Sequence, residues 1–294
     1  MYLTIDELVP HLRNLRDRLL PEATSDRLLA TYYRLEMLPY MLMSVQDAVE
    51  QCISAQLEVM EKRSPGMSDG TGHSLLGDSD REKLSFPVDR FLESGRRCQD
   101  ALIAYLSMAR GIGLPGSLKK VVERIDAEEI DLGDAVNKLT SDYWSAHGKR
   151  LRDYRVLSQH FAIASSDARM FKSESGPIAL YFLLPNNPEV FTAAKLKYED
   201  PHVHAVIYVA VQFEELLSFI YQVTRHLMTS FPPKVGESGQ QVRKHYVVPR
   251  TRIRTSRQEG HGAIQHADVR KNIQQSIVRN VLLFDQRHGN RHDD

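Results

Sequence analysis

Residues 202–228 have the sequence HVHAVIYVAVQFEELLSFIYQVTRHLM, a long and strongly apolar segment. Apolar residues lie on most sides of the helix that this segment predicts, which is typical of a helix buried by its neighbours. Pro201 stands where such a helix would begin, and Pro232 and Pro233 stand where it would end. We therefore expect this helix at the centre of a helical bundle.

Helical spacing of apolar residues recurs through most of the chain before this segment. Helices are predicted over residues 4–20, 25–62, 88–110, from an N-cap at Ser117, and over 133–166. Thr4 and Glu7 have the spacing of a capping box, and Pro39 should kink or break the second helix. The predicted fold class is all-α, a helical bundle with a small β-hairpin and a C-terminal extension.

Three segments should differ from the helices of this bundle, which spans residues 1–235. The stretch 63–82 is rich in Gly, Ser and Asp and has little to bury, which predicts a mobile loop. Two apolar, β-favouring flanks around Ser-Glu-Ser-Gly predict the hairpin at about 168–185. Residues 236–294 form the extension, with a predicted strand in VVPRTRIRTSRQ and a predicted terminal helix over 267–284.

Charge is distributed unevenly between the bundle and the extension. The whole chain has 38 Lys plus Arg and 38 Asp plus Glu, so its net charge is zero. Residues 241–294 contain 11 basic and 5 acidic residues, a net charge of +6, and the remainder therefore carries −6. This asymmetry indicates either docking within the molecule or weak contact with a polyanion.

Several classes of protein do not fit the composition. Cys52 and Cys98 are far apart in sequence and suggest no disulfide framework. The N-terminal segment is charged throughout, and the longest apolar run, 205–211, is too short to span a bilayer, so a cytoplasmic protein without a membrane segment is expected.

No histidine spacing matches a zinc motif, and the G-x-G-x-x-G at 111–116 lacks a preceding strand. We expect neither a metal nor a cofactor.

Candidate chemistry lies in residues 144–170, WSAHGKRLRDYRVLSQHFAIASSDARM. On a helix, Lys149, Asp153 and His160 share one face, because steps of four and seven residues return to the same side. Arg155 and His160 are five residues apart and diverge by about 140° on a straight helix. Both side chains could reach one phosphate only if the helix bends or if a second subunit contributes its copy.

The stretch Arg155-Val-Leu-Ser-Gln-His160 resembles the Arg-x(4–6)-His motif of the HEPN family (higher eukaryotes and prokaryotes nucleotide-binding). Residues around the motif add to the resemblance. They are an upstream tryptophan, Trp144, basic residues before the arginine, Lys149, Arg150 and Arg152, and an aromatic residue after the histidine, Phe161. The resemblance covers about residues 25–230 and is sharpest over about 148–170. One position departs from the family pattern, since active members usually place Asn, Asp or His directly after the arginine, where this chain has Val156.

The resemblance implies a bundle of four or more helices and metal-independent RNA cleavage at a homodimer interface, as in toxin or defence proteins. Arg155 and His160 would be the catalytic residues, and Lys149, Arg152, Asp153 and Gln159 would contact the substrate. An antitoxin or a nucleotidyltransferase is a further partner that the family suggests. The alternative left open is a non-catalytic helical module for dimerisation or partner binding.

Overall fold

The computed structural model describes residues 4–20, 26–63, 72–160, 168–172, 179–190, 192–198 and 203–230. The chain divides into two compact units, 1–233 and 234–294, and every described residue belongs to the first. The sequence places the boundary between bundle and extension near residue 235. The strand and the terminal helix predicted for the extension lie outside the described residues.

The first unit is mostly helical, as predicted, with a small antiparallel sheet. Its α-helices are α1 (Ile5–Leu19), α2 (Asp26–Arg63), α3 (Asp78–Arg110), α4 (Leu118–Asp126), α5 (Asp134–Tyr143), α6 (Lys149–His160) and α7 (Ala205–Ser230). A π-helical turn, Trp144–Gly148, joins α5 to α6, and a short 3-10 turn occupies Ala193–Lys195. One nearly continuous helical segment therefore covers 134–160, within the helix predicted over 133–166.

The long helix α2 excludes one of the two outcomes expected at Pro39, a break in the helix. It runs for 38 residues and includes Pro39, so the helix is not broken there. Pro39 is itself buried, and tertiary packing around a proline can hold a helix together despite the lost backbone hydrogen bond.

The loop expected over 63–82 is also wrong in part. Gly72–Leu75 forms a strand, β1, and α3 begins at Asp78, ten residues before the predicted start. Asp80 is 2% exposed and binds Lys62 and Arg63 at the end of α2. The prediction failed because it was based on polar composition alone. The Asp80 carboxylate is buried with its cationic partners, and the backbone of residues 72–75 is hydrogen-bonded in a sheet.

The predicted hairpin is confirmed and belongs to a larger sheet. Strands β2 (Ala168–Lys172) and β3 (Ala179–Leu184) pair antiparallel, with Arg169 opposite Tyr181. The strand β1 adds to one edge, and β4 (Val203–His204) adds to the other, in the order β1-β2-β3-β4. Because residues 203–204 pair with β3, α7 begins at Ala205, later than Pro201 suggested.

Helix α7 occupies the centre of the bundle, as predicted. It contacts α1, α2, α3 and α5, and the strands β3 and β4. Among the described residues it is the one helix long and apolar enough to cross a membrane, with 26 residues and a mean hydropathy of 1.3. Half of that apolar stretch is buried inside the protein, and core helices of soluble proteins share this length and composition.

Local signals at helix ends agree with the sequence. The Glu7 carboxylate accepts hydrogen bonds from the backbone N–H and the hydroxyl of Thr4, at 3.0 and 3.1 Å. The Ser117 hydroxyl accepts from the backbone N–H of Lys120 at 3.4 Å. Gly111 ends α3 in the left-handed conformation at φ 66°, so the first glycine of the G-x-G-x-x-G match is a helix C-cap.

Candidate functional site

The helix α6 is anchored by its apolar side. Leu151, Tyr154 and Leu157 are buried, and Leu151 packs against Gly95 of α3, where an added Cβ would lie 3.3 Å from the leucine. The Ser158 hydroxyl donates to the Asp89 carboxylate at 2.5 Å and ties the end of α6 to α3. These contacts place the polar residues of α6 along the edge of α3.

Arg155 lies at this edge with two partners from its own chain. Its Nε donates to a carboxylate oxygen of Glu93 at 2.9 Å, and its Nη1 donates to the side-chain oxygen of Gln159 at 2.5 Å. The arginine and glutamate side chains are 30% and 38% exposed, so solvent and larger ligands can reach the pair. Gln159, which is expected to contact substrate, is exposed and accepts this hydrogen bond from Arg155.

His160 is the last residue of α6 and is exposed. Since α6 is a continuous α-helix from Lys149 to His160, Arg155 and His160 leave it on faces about 140° apart. The helix does not bend so as to bring them together within one protomer. Phe161, the aromatic residue after the histidine, lies outside the described residues.

The other predicted substrate contacts differ in accessibility. Lys149 is exposed. Arg152 is one-third exposed and donates to the Asp153 carboxylate at 2.9 Å. Asp153 is only 5% exposed, and its buried carboxylate binds Arg152.

Arg96 of α3 was not found by sequence reasoning. Its Nη1 donates to Gln99 at 2.9 Å and lies 3.0 Å from the Asp100 carboxylate. Burial lowers the pKa of Arg96; the charge of Asp100 opposes this, and the positive charges of Arg152 and Arg155 lower it further. Three guanidinium groups from two helices therefore act on one another at the α3–α6 edge, although no spacing pattern in the sequence connects them.

The π-helical turn holds a second histidine that the sequence reasoning passed over. His147 Nδ1 lies 3.2 Å from Gln212 Nε2, and His147 Nε2 lies 3.7 Å from a carboxylate oxygen of Glu215, both on α7. The neighbouring Glu214 is exposed.

A metal centre finds no support in the described part of the chain. No group of three or more His, Cys, Asp or Glu side chains is arranged there to hold an ion. Both cysteines are free and buried. Burial raises the pKa of Cys52 to about 12 and that of Cys98 well above the ordinary value, so neither thiol is a ready ligand or nucleophile.

No family model matches the chain, and neither a curated protein nor a solved structure matches it. A function has therefore to be inferred from the residues of α6 and from the side chains that α3 and α7 place beside them.

Proposed function

We propose that this protein is an HEPN-like, metal-independent endoribonuclease that acts as a two-fold symmetric dimer. One observation carries the proposal: the exposed end of α6 presents His160 five residues beyond an accessible Arg155, and Arg155 lies beside the arginines at the α3–α6 edge. Clustered guanidinium groups suit the phosphate groups of a nucleic acid. An exposed imidazole supplies proton transfer near neutral pH.

The reaction assigned to these residues is attack of an RNA 2′-hydroxyl on the adjacent phosphorus. His160 removes the proton of the 2′-hydroxyl, and the bond to the 5′ oxygen breaks as that oxygen gains a proton from an imidazolium. The products are a 2′,3′-cyclic phosphate and a 5′-hydroxyl. Arg155 donates hydrogen bonds to the phosphoryl oxygens while negative charge accumulates on them. RNA is the substrate, because DNA lacks the internal nucleophile.

The dimer is part of the proposal for a geometric reason. On the straight helix α6, Arg155 and His160 of one chain point about 140° apart. A two-fold axis near the end of α6 would set Arg155 of one copy beside His160 of the other. Each dimer would then have two such pairs in one cleft.

Substrate binding has to release Arg155 from Glu93. The pair is about one-third exposed on both sides, and ion pairs of this kind contribute roughly 0–1 kcal/mol. The free energy needed to replace the glutamate by a phosphate at Arg155 is therefore small. Glu93 retains a second cation, since Arg97 donates to it at 2.8 Å.

The test is cleavage of mixed-sequence RNA by purified protein, with and without EDTA. We expect cleavage that EDTA does not affect, and its loss in His160→Ala and in Arg155→Ala while circular dichroism and thermal unfolding stay unchanged. Matched controls are His226→Ala on α7 and Arg34→Ala on α2, both exposed and remote in sequence from the motif. Full activity in either motif variant rules out the assignment.

One observation favours a second function, a non-catalytic helical module for dimerisation or partner binding. Arg155 already has a carboxylate and an amide partner in its own chain, as a structural arginine would. This function predicts no RNA cleavage by the wild-type protein together with a stable dimer in analytical ultracentrifugation. The same RNA assay thus separates the two functions.

A further inference from the structure

A polar seam runs between the helical segment around α6 and the central helix α7. Its members are His147 from the π-helical turn, Arg150 and Tyr154 from α6, and Tyr208 and Gln212 from α7. Tyr154 and Tyr208 meet edge to face with ring centroids 4.7 Å apart. Since the buried residues of the described chain are mostly apolar, five polar side chains at one contact are unusual.

The seam contains every buried side-chain atom that lacks a hydrogen-bond partner in the described part of the chain. These atoms are Arg150 Nε, the Tyr208 hydroxyl and Gln212 Oε1. Leaving a buried polar group without a partner costs about 1–3 kcal/mol, and more for a charged group. Each buried polar group without a partner needs an explanation, such as a water, an ion or a functional role.

Arg150 differs from the other arginines of α6. Arg152 and Arg155 each bind a carboxylate, whereas Arg150 has no carboxylate within ion-pair distance among the described residues. Its Nη2 makes only a long contact of 3.4 Å with the Tyr154 hydroxyl, and its Cζ lies 5.7 Å from the centre of that ring. A half-buried guanidinium therefore keeps an unsatisfied charge and an unsatisfied N–H.

Tyr208 supplies a second donor beside this charge. Tyr154 uses its own hydroxyl hydrogen on the backbone carbonyl of Pro185, at 2.5 Å, so it cannot also donate to Tyr208. The Tyr208 ring is 8% exposed, and its buried hydroxyl lies within the electrostatic reach of Arg150. Arg150 and Tyr208 thus both lie beside Tyr154 and offer two donors and one positive charge, which suit a negatively charged acceptor. The buried Asp153 carboxylate, which also acts on Tyr208, is bound by Arg152.

The π-helical turn gives independent support for a site here. Such turns are rare and occur frequently at functional sites. This one places His147 against Gln212 and Glu215 at the end of the seam, where the His147 side chain is 27% exposed and that of Glu215 is 46% exposed. Solvent reaches the seam from this end.

We propose that the seam binds an oxyanion, the carboxylate or phosphate group of a small molecule, with Arg150 and Tyr208 as its hydrogen-bond donors. Arg150 supplies the charge and the planar N–H fork that binds such groups in a bidentate manner. The Tyr208 hydroxyl donates to a further oxygen. This site is separate from the Arg155–His160 motif and does not depend on the proposed RNA cleavage.

The experiment is thermal unfolding of the full chain in sodium phosphate, sodium acetate and sodium chloride at one ionic strength. We expect phosphate or acetate to raise the Tm of the wild type above its value in chloride. Once the site is saturated, this increase in Tm should grow in proportion to the logarithm of the anion concentration. The anion with the larger shift identifies the chemical class. Arg150→Gln and Tyr208→Phe should each weaken the apparent Kd at least tenfold, whereas Arg34→Gln should retain the full shift.

Two further variants keep the result interpretable. Arg155→Ala should retain the anion-dependent shift, because the effect belongs to a different site. Arg150→Lys keeps the charge without the fork and should show a reduced shift even if Arg150→Gln does not fold. Phosphate also stabilises proteins nonspecifically, so equal shifts in wild type, Arg150→Lys and Tyr208→Phe overturn the proposal. A second result would also overturn it: the Tm difference between wild type and Tyr208→Phe is the same in phosphate, acetate and chloride. A trapped water or an uncompensated hydroxyl would give such a difference, because neither depends on the anion.

Discussion

Arg155 on α6 and Glu93 on α3 are joined by a hydrogen bond of 2.9 Å from Nε to a carboxylate oxygen. Glu93 also accepts from Arg97, one turn further along α3. Burial raises the pKa of Glu93, but hydrogen bonds and charge from Arg155 and Arg97 outweigh it and hold the pKa below its ordinary value. The glutamate therefore remains ionised at neutral pH and competes with any anion for Arg155.

Removal of this competitor should strengthen RNA binding. In Glu93→Gln the carboxylate charge is lost and the Arg155 guanidinium is easier to release, so we expect a severalfold lower Kd for single-stranded RNA. Fluorescence anisotropy measures this in a His160→Ala background, where the RNA stays intact. The control is Glu58→Gln, which removes the exposed carboxylate partner of Lys83 and should leave the Kd unchanged. Equal effects of the two substitutions would contradict a role for Arg155 in binding.

Acid should destabilise the junction between α2 and α3. Burial raises the pKa of Asp80, but hydrogen bonds and charge from Lys62 and Arg63 outweigh it, so the pKa lies below the ordinary value of 3.8. A carboxyl with a depressed folded-state pKa contributes stability above its unfolded pKa, and this contribution is lost as the pH falls through the folded value. Asp80→Asn should cost about 1–3 kcal/mol in urea unfolding at pH 7, and the variant should lose less stability on acidification than the wild type. The exposed Asp78→Asn provides the control, and an equal loss there would assign the effect to the helix N-terminus.

Two glycines provide a matched test of the packing around the π-helical turn. A Cβ on Gly148 would lie 3.0 Å from Trp144 and 3.1 Å from Tyr143, whose ring is stacked against Phe219 and cannot move easily. Overpacking of this kind costs about 1–3 kcal/mol, which exceeds the gain of about 1 kcal/mol in helix propensity from Gly to Ala. Gly148→Ala should therefore lower the free energy of unfolding by about 1 kcal/mol. Gly113→Ala meets nothing within 4 Å and should be neutral or slightly stabilising; the opposite order in chemical denaturation would disprove this packing.

Both cysteines should resist alkylation in the folded protein. Cys52 is 1% exposed and Cys98 is fully buried, and burial raises the pKa of both thiols. Iodoacetamide at pH 8 should label neither residue until urea unfolds the chain, as followed by intact mass. Rapid labelling of native protein at either position would show that α2 and α3 separate locally.

Helices with a strong apolar repeat were predictable from the sequence, and so were the helix starts marked by capping residues. The apolar pattern of α7 placed it at the centre, and the Thr4–Glu7 pair and Ser117 marked helix starts. The errors arose where tertiary contacts override local composition. Pro39 is held inside α2, and Asp80 is buried by cations of the preceding helix, which no local pattern encodes.

The candidate site was predictable only in part for a similar reason. The motif locates Arg155 and His160 on one helix, and helical geometry alone gives their divergence. Arg96 and Glu93 lie beside Arg155 but belong to α3, more than 50 residues before α6, so only the fold brings them there. Tyr208 of α7 is likewise brought beside Tyr154 only by the fold. The π-helical turn is likewise hidden in the sequence, since Trp144–Gly148 has no composition that separates it from an ordinary helix.

That turn sets the rotational phase of everything after it. A π-helical turn holds one residue more than an α-helical turn, and each residue of an α-helix advances the side-chain direction by about 100°. If Trp144–Gly148 closed to an α-helical turn with all its residues kept, Leu151 and Tyr154 would rotate by about 100° away from the core and Arg155 would meet a different neighbour. The wider turn thus absorbs one extra residue and keeps the charged side chains of α6 pointing towards α3.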